Sequence, residues 1–320
     1  MIARDPKELV KLAHGGSRTA LARLLTYVES GGEYQLDTAA LAYHVASPYV
    51  VGITGPPGGG KSTLTDQLIS VVLSRGSFGG GETFDQVSVL CIDPSSPFTG
   101  GAILGDRIRM QGHATNEHVF IRSMATRGHL GGLSLAVPDA LRVLGAAGFH
   151  LALVETVGVG QMEVDIASAA DTTIVVMNPG WGDSMQANKA GLLEVADIFV
   201  INKSDRAGVR ETRRDLEQML DLGGEREWRP LILDTVATNG TGTEELWDAV
   251  VAHRAFLHDG RFEMHRRQRT RVELDKVLAA MARARVSDLA HGAAYEAQID
   301  ALVAQTTDPY RAADTLLANS

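Results

Sequence analysis

The sequence predicts an α/β protein: a mostly parallel central sheet flanked by helices, with helical extensions at both ends. Three observations predict it. Seven short apolar runs alternate with helical stretches between residues 49 and 257, a pattern that favours a parallel sheet covered on both faces. A glycine-rich stretch, GPPGGGKST, stands between the first apolar run and a helical segment. No strand-like run follows residue 260. The expected divisions are an N-terminal helical extension (1–46), a sheet domain (47–258) and a C-terminal helical region (259–320).

Residues 1–46 read as helical. In SRTALARLLTYVES, Leu21, Leu24, Leu25 and Val28 fall at helical spacing and Ser17 is placed to cap the start. LDTAALAYHV predicts a second short helix, and Ser47-Pro48 breaks the pattern. The expected strands are YVVGIT (49–54), VSVLCI (87–92), VFIR (119–122), LALV (151–154), TIVVM (173–177), IFVIN (198–202) and PLILD (230–234). SRGSFGGGETFD (74–85) reads as a surface loop. Helices are expected again from RFEMHRRQRTRVELDKVLAAMARARVSDLA onward. Eight Lys or Arg residues fall between Arg261 and Arg285. They read as a solvated helix face, with an acidic partner surface as the alternative. Interleaved Glu263, Glu273 and Asp275 and the lack of aromatic platforms argue against nucleic acid.

Composition narrows the class. Of 320 residues 44 % are apolar and 22 % charged, ordinary for a soluble globular chain, and the net charge of −9 also argues against nucleic acid. The single cysteine, Cys91, excludes an intrachain disulfide, fits a reducing compartment and reads as a core residue. No apolar run approaches the ~18 residues of a spanning helix, so no membrane role is expected. The opening MIARDPKELVKLAHGG lacks a cleavable signal, so a cytoplasmic location is expected. His113, His118 and His129 are not at metal-ligand spacing and read as solvent-facing or hydrogen-bonded.

GPPGGGKST matches GxxxxGK[ST] in its strand-to-helix context. Gly55, Pro56, Pro57, Gly58, Gly59 and Gly60 form a loop whose backbone N–H groups can turn toward phosphate oxygens. Lys61, Ser62 and Thr63 open a helix whose positive end faces the anion. Lys61 is expected to reach the outer phosphates, and Ser62 to ligate Mg²⁺. NKSD, Asn202 to Asp205, ends the strand IFVIN. A carboxylate at Asp205 can accept from both the ring N–H and the exocyclic amine of guanine, a donor pair adenine lacks. Asn202 and the stem of Lys203 would buttress the base. In TVAT, a backbone N–H near Ala237, between Val236 and Thr238, could meet the guanine oxygen, although Ser or Cys is usual before the Ala. The expectation is a P-loop GTPase using GTP and GDP.

ETVGVGQME follows the strand LALV, with Glu155 at its end and Gly158 three residues on. In a nucleotide-binding chain this reads as the γ-phosphate sensor, with Glu where Asp is common. The long interval from residue 60 to residue 150 holds two strand candidates. An extra parallel strand is therefore expected between the phosphate-loop strand and the ETVG strand, with Glu155 reaching Mg²⁺ through water across it. That order resembles the class of the signal-recognition GTPases and the nitrogenase iron protein.

IDPSSPFTGGAILGDRIRM (92–110), IRSMATRGHLGGLS (121–134), VETVGVGQMEVD and GDSMQANKAGLLEVADIFVINKSD are similar to the MeaB/ArgK/MMAA family over nearly the whole chain. These GTPases act as chaperones for adenosylcobalamin-dependent acyl-CoA mutases. The resemblance implies Asp93 and Asp106 as magnesium-side acids and Glu155 as the sensor acid, with direct and water-mediated roles left open. It implies that NPGWGDSMQANK (178–189) is a loop that communicates with the mutase, through Asp183, Gln186 and Lys189. There Trp181 is either a partner anchor or folded over the core. Gln161 is a candidate for positioning the hydrolytic water. Slow hydrolysis is expected to be stimulated by the partner, with Arg107, Arg109 or Lys189 helping. The implied partners are the mutase, its adenosyltransferase and a second copy of the chain, a homodimer through the C-terminal helices. Two other readings compete. Metal-insertion GTPases usually carry clustered Cys or His ligands, which one cysteine disfavours. An ArgK-like kinase linked to amino-acid transport is disfavoured by NKSD.

Overall fold

The computed structural model describes residues 5–30, 32–45, 47–79, 81–93, 110–113, 115–125, 132–156, 166–180, 194–224 and 226–318. The chain divides into two compact units, Met1–Arg269 and Thr270–Ser320.

In the first unit α1 (Pro6–His14), α2 (Arg18–Ser30) and α3 (Gln35–Tyr43) precede β1 (Tyr49–Thr54). Ser17 caps α2 as its position predicts, accepting from the Ala20 N–H at 3.3 Å. Then come α4 (Lys61–Arg75), β2 (Ser77–Gly79), β3 (Glu82–Thr83) and β4 (Val87–Asp93). A single 3₁₀ turn, Gln111–His113, leads to β5 (Val119–Ala125), α5 (Gly132–Ala146) and β6 (Leu151–Thr156). β7 (Thr172–Met177), β8 (Ile198–Asn202), α6 (Val209–Leu222), β9 (Leu231–Thr235) and α7 (Thr243–His258) complete the alternation. α8 (Phe262–Leu289) begins in the first unit and ends in the second, which also holds α9 (Ala293–Val303) and α10 (Pro309–Ala318).

Seven strands form one parallel sheet in the order β5-β4-β6-β1-β7-β8-β9. This corrects one expectation. No strand lies between the phosphate-loop strand and the ETVG strand: β1 pairs directly with β6, Ile53 opposite Glu155. The two additional strands lie outward of β6. Burial explains the order. β1, β4 and β6 are buried at every residue and need neighbours on both sides, whereas β5 is half-exposed at its middle residues and takes the edge.

Strand residues alternate between two cores. Val50, Leu90, Ile92, Ala152 and Val154 face a layer made by α1, α2, α3 and α5. Val51, Ile53, Val89, Cys91 and Leu153 face α4 and α7. The stretch 74–85 is not a plain loop. Its hairpin β2–β3 places Phe78 and Phe84 against buried Trp247, with ring centroids 5.7 and 6.1 Å away. The glycines bend the chain and the two Phe residues fasten it.

A mostly buried polar chain, with Asp197 its half-buried member, crosses the opposite, amino-terminal end of the sheet. Asp171 and Asp197 each sit one residue before a strand, and each accepts from a neighbouring strand: Asp171 from the Val50 N–H at 2.8 Å, Asp197 from the Thr173 N–H at 2.7 Å. Arg269 pairs with Asp171. Tyr49 Oη lies 2.6 Å from Thr172 Oγ1, which lies 2.9 Å from His253 Nδ1; His253 Nε2 lies 3.3 Å from Asp197 Oδ1. Burial raises Asp197 to about 7 and lowers His253 to about 4, and it pushes the Tyr49 hydroxyl upward as well.

Candidate active site

The carboxyl ends of the parallel strands carry the site, as in open α/β sheets generally. The loop after β1 turns on three glycines with positive φ: Gly55 (132°), Gly58 (73°) and Gly60 (88°). Two of them also have no room for a side chain. A Cβ on Gly55 would stand 2.0 Å from Val176 O, and one on Gly60 2.3 Å from Asn202 Nδ2. Gly59 N–H closes the turn on Pro56 O at 3.1 Å, and Pro57 and Gly58 are exposed at its tip. Lys61, Ser62 and Thr63 form the first turn of α4, whose N-terminal N–H groups have no partner within the helix. Lys61 is buried and its Nζ donates to Gly55 O at 2.7 Å and Pro56 O at 3.0 Å, which holds its charge over the loop.

Two carboxylates converge from β4 and β6. Glu155 is fully buried at the end of β6 and accepts from Ser62 Oγ at 2.6 Å. This direct contact replaces the expected reach across an intervening strand, because β6 is the neighbour of β1. Asp93, also buried, ends β4, two residues beyond Cys91, which faces Glu155 in the ladder. Behind them Thr156 Oγ1 donates to Thr54 Oγ1 at 3.0 Å. Among the described residues no three His, Cys, Asp or Glu side chains cluster as a metal cage. Asp106, Gln161, Arg107, Arg109, Trp181, Asp183, Gln186, Lys189 and His129 lie outside the described residues.

Asn202 ties the two halves of the site together. Its Nδ2 donates to Gly59 O at 2.8 Å, and its Oδ1 accepts from Thr235 Oγ1 and from the Ala237 N–H, both at 3.1 Å. The Ala237 N–H, which the sequence directs at a guanine oxygen, is thus directed at Asn202. Lys203 adopts φ 58°, uncommon for a non-glycine residue, and its Nζ donates to Gly58 O at 2.6 Å, so its stem lies along the loop. Asn178 Nδ2 also donates to Gly58 O, at 3.2 Å. Asp205 and Thr238 are exposed beyond this brace and Val236 is half-buried. Sequence reasoning missed the Asn178 contact and the Thr54–Thr156 pair; threonines ending two adjacent strands were the available signal. His113 Nε2 lies 3.1 Å from Asp66 O, and His118 Nδ1 2.9 Å from Asp85 O, so both are hydrogen-bonded as expected. Cys91 is in the core.

A braced phosphate loop, a guanine-type NKSD loop and two buried acids at adjacent strand ends describe a GTPase. A Pyrococcus abyssi protein named as a GTPase is 46 % identical over 316 residues, covering 97 % of this chain and 95 % of that protein. GTPase ArgK of Escherichia coli is 35 % identical over 274 residues, 82 % of this chain and 80 % of that protein. The solved structure of a LAO/AO transport system kinase superposes with a TM-score of 0.71 at 26 % identity, covering 99 % of this chain and 98 % of that one. Residues 21–293 match the family described as methylmalonyl Co-A mutase-associated GTPase MeaB, and the chain belongs to that family.

Proposed function

We propose that this GTPase gates cofactor loading and protects an adenosylcobalamin-dependent acyl-CoA mutase of the methylmalonyl-CoA mutase type, with the adenosyltransferase as a further partner. The observation that carries the partner is the family match over residues 21–293. GTP is the substrate and GDP the product. The phosphates lie in the loop Gly55–Thr63 under Lys61. Asp205 accepts from guanine, and Val236, Ala237 and Thr238 flank the base.

The oxygen donors of Ser62, Asp93 and Glu155 suit a hard cation such as Mg²⁺, which when bound neutralises phosphate charge. Ser62 gives its hydroxyl hydrogen to Glu155, so toward a cation its oxygen would act as an acceptor. Glu155 therefore acts through Ser62 and orients it, while Asp93 approaches from β4. Asp106 is the proposed further acid and Gln161 the residue proposed to position water. Burial of Lys61 keeps its charge close to the transferred group, where positive charge stabilises the transition state.

Single-turnover GTP hydrolysis with and without a methylmalonyl-CoA mutase tests the reading. Slow hydrolysis alone, accelerated at least tenfold by the mutase, is expected. Equal rates with and without the mutase would overturn it. The likeness to a transport system kinase favours one rival, phosphoryl transfer to a protein acceptor. Labelled phosphate on a periplasmic-type binding protein would support that rival.

A further inference from the structure

α2 lies along β5, the edge strand of the sheet, and holds it at both ends. At the start of the helix, Arg18 Nη1 donates to Val119 O at 2.7 Å and Nη2 to Asn116 O at 3.2 Å. At its other end Glu29, whose side chain is only 8 % exposed, uses both carboxylate oxygens. Oε1 accepts from the Ala125 N–H at 3.0 Å, and Oε2 from Arg122 Nη2 at 2.7 Å. Arg122 Nη2 also donates to Thr26 Oγ1 at 3.2 Å.

The register gives this contact its meaning. Ala125 is the ladder partner of Asp93, the last pair between β5 and β4. One strand further in, Cys91 on β4 faces Glu155 on β6. A carboxylate from the N-terminal helical layer therefore fixes the backbone beside one buried acid of the site, at the end of the sheet where strands most readily fray. A carboxylate that is nearly buried and satisfied at both oxygens is costly to misplace, so it holds this strand end in place.

We propose that Glu29 is a positioning residue for GTP hydrolysis: by fixing Ala125 it sets the height of Asp93 at the nucleotide site. The proposal rests on the reading of Asp93 as a magnesium-side acid. The test uses the full chain with fluorescent GDP. It measures the Mg²⁺ concentration that half-slows nucleotide release, with kcat and KM for GTP and the melting temperature alongside. Glu29→Ala is expected to raise the half-effective Mg²⁺ concentration and to lower kcat, each by about three- to tenfold, with KM in excess Mg²⁺ within twofold. Glu29→Gln keeps an oxygen for the Ala125 N–H and is expected to recover most of the loss. Arg18→Gln loosens the far end of the same helix and is expected to lower the melting temperature with the Mg²⁺ response intact.

Asp93→Ala separates the two levels. If it leaves the Mg²⁺ response unchanged, the role of Asp93 fails. If it shifts the response and Glu29→Ala does not, the positioning role fails. Equal effects of Arg18→Gln and Glu29→Ala would also overturn it, because both would then report loss of the helix alone. If Glu29→Ala does not fold, Glu29→Asp, whose shorter side chain draws the carboxylate back from the Ala125 N–H, is expected to shift the Mg²⁺ response in the same direction, and an unshifted response would overturn the proposal.

Discussion

Asn202 was legible as part of NKSD, but its reach was not. Sequence placed it under the base, whereas it bonds Gly59 O of the phosphate loop and the Ala237 N–H of the base loop. Side-chain reach between loops far apart in sequence depends on the final strand order, which a motif does not encode. Selectivity at Asp205 follows from hydrogen-bond complementarity. Asp205→Asn replaces an acceptor by a donor, so it is expected to weaken GTP binding by about 10- to 100-fold and to improve binding of xanthosine triphosphate, whose ring carries an acceptor at the matching position. Competition against fluorescent GDP measures both.

The seven strands of the sheet were readable as apolar runs, each within three residues of its observed bounds. Their order was not. The long interval after Gly60 suggested an insertion between the nucleotide strands, yet chain length says nothing about which side of β6 the extra strands join. The hairpin in 74–85 was hidden because its glycines mask two anchoring aromatics. Phe78→Ala is expected to cost about 3–5 kcal/mol in urea unfolding, since it empties a site beside buried Trp247.

The polar chain at the amino-terminal end of the sheet was also missed, although an Ala-Asp pair stands just before both β7 and β8. Its pH behaviour has a definite sign. Between about 4 and about 7 folded Asp197 keeps a proton that the unfolded chain releases, so its share of stability falls as pH rises. From about 4 up to the ordinary range of histidine, unfolded His253 binds a proton that the folded residue refuses, so its share rises. The two slopes oppose each other in the native protein. Relative to it, the melting temperature of His253→Gln is expected to fall between pH 4.5 and 6.5, and that of Asp197→Asn to rise.

At the scale of the whole molecule, Leu274, Leu278 and Met281, at helical spacing on α8, are each more than half exposed. Such a stripe is a candidate contact face, and it favours the homodimer expected through the C-terminal helices. A chain ending at Arg269 is expected to bind GDP with native affinity and to run as a monomer in light scattering, while the full chain runs at twice its 34.2 kDa. Loss of GDP binding in the short chain would show that the nucleotide site depends on the second unit.

Both rims of the sheet carry arginine from a neighbouring helix: Arg18 takes Val119 O on β5, and Arg213 takes Ile232 O on β9. On each rim one backbone carbonyl that could accept from a foreign strand is thereby engaged. A foreign strand seeking to add at either rim would first have to displace an arginine, which works against strand-by-strand polymerisation into fibrils.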